Sequence, residues 1–206
     1  MTKHHPFRGF LDELKSSAPT PGGGAVAGLC GALAAALAHM VGSLSVGKKK
    51  FAAVEPELRE SMGRLDTAID MFLILADRDA RAFDAFMKAW KLPRTNDSEK
   101  AARQTAVEGA ASSACAPPLD MILLASLLLP EIRLAAERGN PHAVSDAGVA
   151  AILVTATVKA AALNVRINLP SLNATDRSAR LAQLDDLVPP ALDAARALED
   201  EVLARL

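Results

Sequence analysis

Residues 16–51 read SSAPTPGGGAVAGLCGALAAALAHMVGSLSVGKKKF, and this stretch sets the class of the fold. At its left, Pro19, Pro21 and the consecutive Gly22, Gly23 and Gly24 forbid a regular helix. To their right, Ala25 to Leu44 carries no formal charge and shows no alternation of apolar and polar residues. A run that is apolar all round predicts a helix buried on every side. The core of this run, to Val41, falls just short of a typical membrane span. It is built of Ala and Gly rather than Leu and Ile, and His39 lies inside it, so a soluble core helix is expected and a membrane partner is not. Gly47 follows, and Lys48, Lys49 and Lys50 then sit near the carbonyl end, where cations complement the helix dipole.

Working outward, helical spacing covers nearly the whole chain. Phe7, Phe10, Leu11 and Leu14 form the apolar face of a short first helix. A long helix is expected from about Pro56 to Ala89, ended by Leu92-Pro93. Asn96, Asp97 and Ser98 offer caps for the next, which reaches about Cys115. Pro117 and Pro118 suit the first turn of another, ending near Gly139-Asn140. Pro141 opens an Ala-rich helix to about Asn168, and Leu169-Pro170 breaks it. Ala174 to Leu206 is the last helical region, with a break or kink at Pro189-Pro190. The expected fold is all-α, one domain over residues 1–206, a bundle of long helices.

Half of the residues are hydrophobic but only 3% are aromatic, so the core is made of small side chains that bury little area each. Such a core gains from a partner subunit, and homo-oligomerisation is expected. A net charge of −1 gives no basic bias toward nucleic acid. Cys30 and Cys115 have no metal or redox spacing, and both lie in apolar stretches, as buried thiols of a reducing compartment do. With no signal-like core at the N-terminus, a cytoplasmic protein is expected. His4, His5, His39 and His142 show no metal-ligand spacing, so no metal is expected. The chain has no tyrosine to act as an acid.

Several groups allow two readings. Gly22, Gly23 and Gly24 at a helix start admit either close packing or a ligand against free N–H groups. Lys48 and Lys49, with Lys50, are either solvated or hold an anionic tail. Asp77, Asp79 and Asp84 lie along one helix with Arg78 and Arg81 between them. Asp84, flanked by Phe83 and Phe86, is the candidate for a raised pKa. Asp146, in the first turn of a helix, is either a dipole partner or an ionised base. Asn164 and Asn168, one turn apart, either bind a heterocycle edge or cap neighbouring helices.

Three blocks together resemble the formiminotetrahydrofolate cyclodeaminase / methenyltetrahydrofolate cyclohydrolase family. They are FLDELKSSAPTPGGGAVAGLCGALAAALAHMVGSLSVGKKKF (10–51), DRDARAFDAFMKAWKLPR (77–94) and GNPHAVSDAGVAAILVTATVKAAALNVRINL (139–169). Phe51 stands where the family often has tyrosine, and Arg94 where lysine is common. The resemblance implies an all-helical homodimer with folate, possibly polyglutamylated, in a cleft near the subunit interface. It implies no cofactor, because the tetrahydrofolate derivative is itself the substrate. Asp146 and Asp84 are then the acid/base candidates, Asp146 first. Gly22, Gly23, Gly24, Lys48, Lys49, Asn164 and Asn168 are the substrate-binding candidates. Both activities of the family pass through a tetrahedral carbon between two nitrogens and need a proton acceptor and a proton donor. Hydrolysis of 5,10-methenyltetrahydrofolate to 10-formyltetrahydrofolate is the first expectation, because no formiminotransferase domain is attached. Ammonia-releasing cyclodeamination is the second. A non-catalytic helical binding or assembly module is the alternative of another class.

Overall fold

The computed structural model describes residues 7–206. His4 and His5 lie outside the described residues. Among those residues the regular structure is helical throughout, with no strand. The helices are α1 (Phe7–Leu14), α2 (Gly23–Ser43), α3 (Glu55–Trp90), α4 (Asp97–Ala114), α5 (Ala116–Arg138), α6 (Val144–Asn168) and α7 (Ala174–Leu203). Local chemistry sets the ends. The Asn96 side chain accepts a hydrogen bond from the Glu99 N–H at 2.9 Å, and Asn173 caps α7 by accepting from Asp176 N–H at the same distance. Pro117 and Pro118 occupy the first turn of α5, where a missing N–H costs no helix bond. Gly47 adopts φ +77° to turn the chain out of α2.

The break expected at Pro189-Pro190 does not occur, and α7 runs through both prolines. The carbonyls that lose their helix partners belong to Asp185 and Asp186, whose residues are exposed, so water can satisfy them. Buried Leu184, Ala191 and Ala195 hold the two halves of α7 on the bundle.

Helix α2 packs against α3, α5 and α6, and α6 packs against α2, α5 and α7. The α2–α3 contact is close because Phe72, fully buried, lays its ring where a side chain at Gly31 would stand. α2 and α6 run antiparallel. Gly23 of α2 lies beside Asn164 near the end of α6, while Val41 clusters with Ala135 and Ala143 just before α6 begins.

Among the described residues these two are also the helices long and apolar enough to cross a membrane, with half of each apolar window buried in the bundle. Burial on every side, expected for α2, is not what the structure shows. Leu33 and Met40 are exposed, and α6 exposes Ile152 (54%), Leu163 (67%) and Ile167 (76%). One flank of the α2/α6 pair is an open apolar face.

Candidate functional site

The glycine turn opens α2 without a side-chain cap. Gly22 is extended, at φ −132° and ψ −153°, and donates no side chain to the helix end. Two side chains from elsewhere occupy the space that Gly23 and Gly24 leave. A Cβ on Gly23 would lie 3.6 Å from Asn164 Oδ1, and a Cβ on Gly24 would collide with the Asp79 carboxylate. Consecutive α-carbons are about 3.8 Å apart, so the carboxylate and the carboxamide flank one turn of backbone. Asn164 Nδ2 donates to the Ala160 carbonyl at 2.9 Å, and Asn168 Nδ2 donates to the Asn164 carbonyl at 2.8 Å. Each amide is thereby oriented along α6, with its Oδ1 left as an acceptor. A cavity of about 550 Å³ opens here, lined by Gly23, Ala160, Leu163, Asn164, Arg166 and Ile167.

Asp79 is the residue that sequence reasoning did not single out. It is half-buried, and burial alone pushes its carboxyl above the ordinary range, with no hydrogen bond or neighbouring charge offsetting the shift. The shielding expected for Asp84 is absent, for that residue is exposed. At about 100° per residue, Asp84 lies about 140° round α3 from Asp79 and faces away from the Gly24 turn. Asp77 is exposed as well and borders a second cavity, of about 580 Å³, between α1, α2 and α3.

Lys48, Lys49 and Asp146 belong to the other end of the bundle. Both lysines are exposed. The loop before them is fixed by Gly47 N–H donating to Glu55 Oε2 at 3.0 Å, and by Arg59 pairing with Glu55 at 2.7 Å. Asp146 is half-buried in the first turn of α6. It stands eighteen residues from Asn164, about 27 Å along the helix at 1.5 Å per residue. One chain therefore brings Gly22, Gly23, Gly24, Asn164 and Asn168 together, adds Asp79, and keeps Lys48, Lys49 and Asp146 apart from them.

His39 forms a further polar array, with Ser43 Oγ 3.2 Å from its Nδ1 and Asp66 Oδ1 3.4 Å from its Nε2. Ser43 is the last residue of α2, where the backbone presents carbonyls rather than N–H donors, so an oxyanion formed there would be repelled. Among the described residues, no group of three or more His, Cys, Asp or Glu is placed to hold a metal ion.

Comparison with known proteins gives a consistent picture. The chain is 38% identical to a methenyltetrahydrofolate cyclohydrolase of Methylorubrum extorquens, over 93% of this chain and 92% of that protein. It is 34% identical to the formimidoyltransferase-cyclodeaminase of Sus scrofa over 98% of its own length, but spans only 37% of that longer protein. A crystal structure of formiminotetrahydrofolate cyclodeaminase from Thermotoga maritima superimposes with a TM-score of 0.81 at 30% identity, covering 98% of each chain. The family model described as formiminotransferase-cyclodeaminase matches residues 6–185. With nearly the whole bundle matched in sequence and in shape, the chain belongs to the formiminotransferase-cyclodeaminase family.

Proposed function

We propose that this protein hydrolyses 5,10-methenyltetrahydrofolate to 10-formyltetrahydrofolate. The observation that carries the reading is a half-buried carboxylate without a counter-ion, Asp79, at the glycine turn of a chain 38% identical to a methenyltetrahydrofolate cyclohydrolase. The methenyl carbon is part of a cationic amidinium, which supplies the positive charge that Asp79 lacks. The Asn164 and Asn168 amides offer acceptors to the N–H edge of a pterin. Hydrolysis needs only water and a proton carrier, so no cofactor is called for. The likeness to the Thermotoga maritima cyclodeaminase favours a second reading, release of ammonia from formiminotetrahydrofolate. That substrate is also a cation at the same carbon, and the same carboxylate suits it. A packing module has no use for an unpaired, half-buried carboxylate, which costs stability in the free protein.

The same reading includes a homodimer. The open face of α2 and α6 carries the exposed apolar side chains of Leu33, Met40, Val149, Ile152, Leu163 and Ile167, which nothing within the protomer covers. A second copy covers it when the two-fold axis lies across the helices. That axis exchanges the ends, so Lys48, Lys49 and Asp146 of the partner subunit approach the Gly24–Asp79–Asn164 end of the first. The site is complete only in this arrangement: the lysines take the glutamate tail of the folate, and Asp146 adds a second carboxylate near the cation.

The test is an absorbance assay of purified protein with methenyltetrahydrofolate, run beside an ammonia assay with formiminotetrahydrofolate. Loss of the methenyl absorbance well above the uncatalysed rate is the expected result. Ammonia release without methenyl hydrolysis would install the second reading, and inactivity on both would remove the enzymatic one.

A further inference from the structure

We infer that Arg166 is the carboxylate anchor of the site, pairing with the α-carboxylate of the first glutamate of the folate. The inference rests on the folate reading above, in either of its two reactions, and adds the group that holds the substrate at the end remote from the reacting carbon. Of the residues that line the cavity of about 550 Å³, Arg166 is the one that carries a charge. It is exposed, and among the described residues it makes no hydrogen bond or ion pair. Its place in the last turn of α6 has an ordinary explanation, a cation complementing the carbonyl end of the helix dipole. That end is already served. Arg177 Nε donates to the Leu169 carbonyl at 3.0 Å, and Arg177 Nη2 donates to the Leu172 carbonyl at the same distance. Asn168 Nδ2 donates to the Asn164 carbonyl, and the Leu169 N–H to the Arg166 carbonyl. The helix end thus leaves the planar fork of the Arg166 guanidinium free for a ligand.

The spacing along α6 fits the shape of the substrate. At about 100° per residue, Ala160, Leu163 and Ile167 fall within about 60° of one another and form an apolar floor. Asn164 stands on one side of this floor, toward Gly23 of α2, and Arg166 on the other. Their polar ends are separated by roughly one helix diameter, or 10 Å. A pterin held at the Asn164 edge places the p-aminobenzoyl ring over the exposed side chains of Leu163 and Ile167. Beyond that ring a single amide leads to the glutamate α-carbon, so its α-carboxylate arrives on the Arg166 side. A guanidinium offers such a carboxylate two parallel N–H donors. Further glutamates are joined through the γ-carboxyl, which leaves the first α-carboxylate ionised at every chain length. Arg166 therefore recognises a feature shared by mono- and polyglutamates, and Lys48 and Lys49 of the partner subunit are left for the carboxylates that follow.

Two variants and two substrates test the assignment. The substrates are the monoglutamate of whichever folate the wild type turns over, and the same compound with its α-carboxylate converted to the amide. The amide keeps the reacting carbon, the ring and the γ-carboxylate. Wild-type KM is expected to be at least about tenfold lower for the acid than for the amide, the size of a charged hydrogen bond. Arg166→Met keeps the length of the stem and the helix propensity, so the fold is retained. It is expected to raise KM for the acid to the level of the amide, with KM for the amide within about twofold and kcat within about threefold of wild type. Arg166→Lys keeps the charge without the fork and is expected to fall between the two. An Arg166→Met protein whose KM for the acid is unchanged overturns the assignment. So does a KM that rises equally for both substrates, which is what a lost ion pair between Arg166 and Asp146 of the partner subunit would give. Wild-type protein inactive on both folates overturns the folate reading and this anchor with it, a failure visible before any variant is made.

Discussion

Mixing two inactive variants tests the composite site directly. Asp79 and Asp146 are placed at opposite ends of one protomer, Asp146 being about 27 Å along α6 from the Asn164 that flanks the Asp79 turn. If the two-fold axis crosses α2 and α6, each active site takes Asp79 from one chain and Asp146 from the other. Asp79→Asn and Asp146→Asn should each reduce turnover at least about a hundredfold, with helicity and oligomeric state intact. Unfolded together in equal amounts and refolded, or co-expressed, the two chains pair at random. About half of the dimers are then mixed, and each mixed dimer has one site with both carboxylates and one with neither, so the mixture should recover about a quarter of the wild-type rate. The assay is loss of methenyl absorbance, with sedimentation confirming dimers in every sample. Mixed dimers no more active than their parents would refute the exchange of ends. Near-normal turnover of Asp146→Asn alone would remove Asp146 from the site.

Replacing Lys48 and Lys49 together with alanine should raise KM more than it lowers kcat, and wild-type KM should itself rise with salt, since exposed charges are screened; an unchanged KM would make the cluster a solvated surface. Asp79→Asn should raise the melting temperature at neutral pH while activity falls. The folded-state pKa of Asp79 is raised by burial, so the wild type gains relative stability at pH below the unfolded-state value and loses it as pH rises through the folded-state value. The advantage of the variant should therefore open above the ordinary aspartate range and close in acid; a melting temperature no higher at neutral pH would show that ionised Asp79 is not penalised.

Most helix ends were legible because their causes are local. Asn96 caps a helix within three residues, Pro117 and Pro118 start one, and Leu169-Pro170 stops one. The outcome at Pro189-Pro190 was not local, because it depends on packing by Leu184, Ala191 and Ala195 and on solvent at Asp185 and Asp186. The open flank of α2 escaped notice for a related reason: an apolar sequence does not say whether the covering surface comes from the same chain or from another. Among Asp77, Asp79 and Asp84, sequence alone offered flanking residues, and the aromatic neighbours of Asp84 pointed the wrong way. The phase of α3 against α2 decides the matter. Gly24, Gly28 and Gly31 fall at i, i+4 and i+7 on α2, and opposite them, in antiparallel order, stand Asp79, Ala76 and Phe72, at the same spacings on α3. One helix supplies a groove of glycines and the other a ridge to fill it. Phe72 and Ala76 fill it with carbon, as close packing requires. Asp79 fills the last position with a charge, at the point where the groove opens onto α2's uncapped first turn, and packing gives no reason for a carboxylate there.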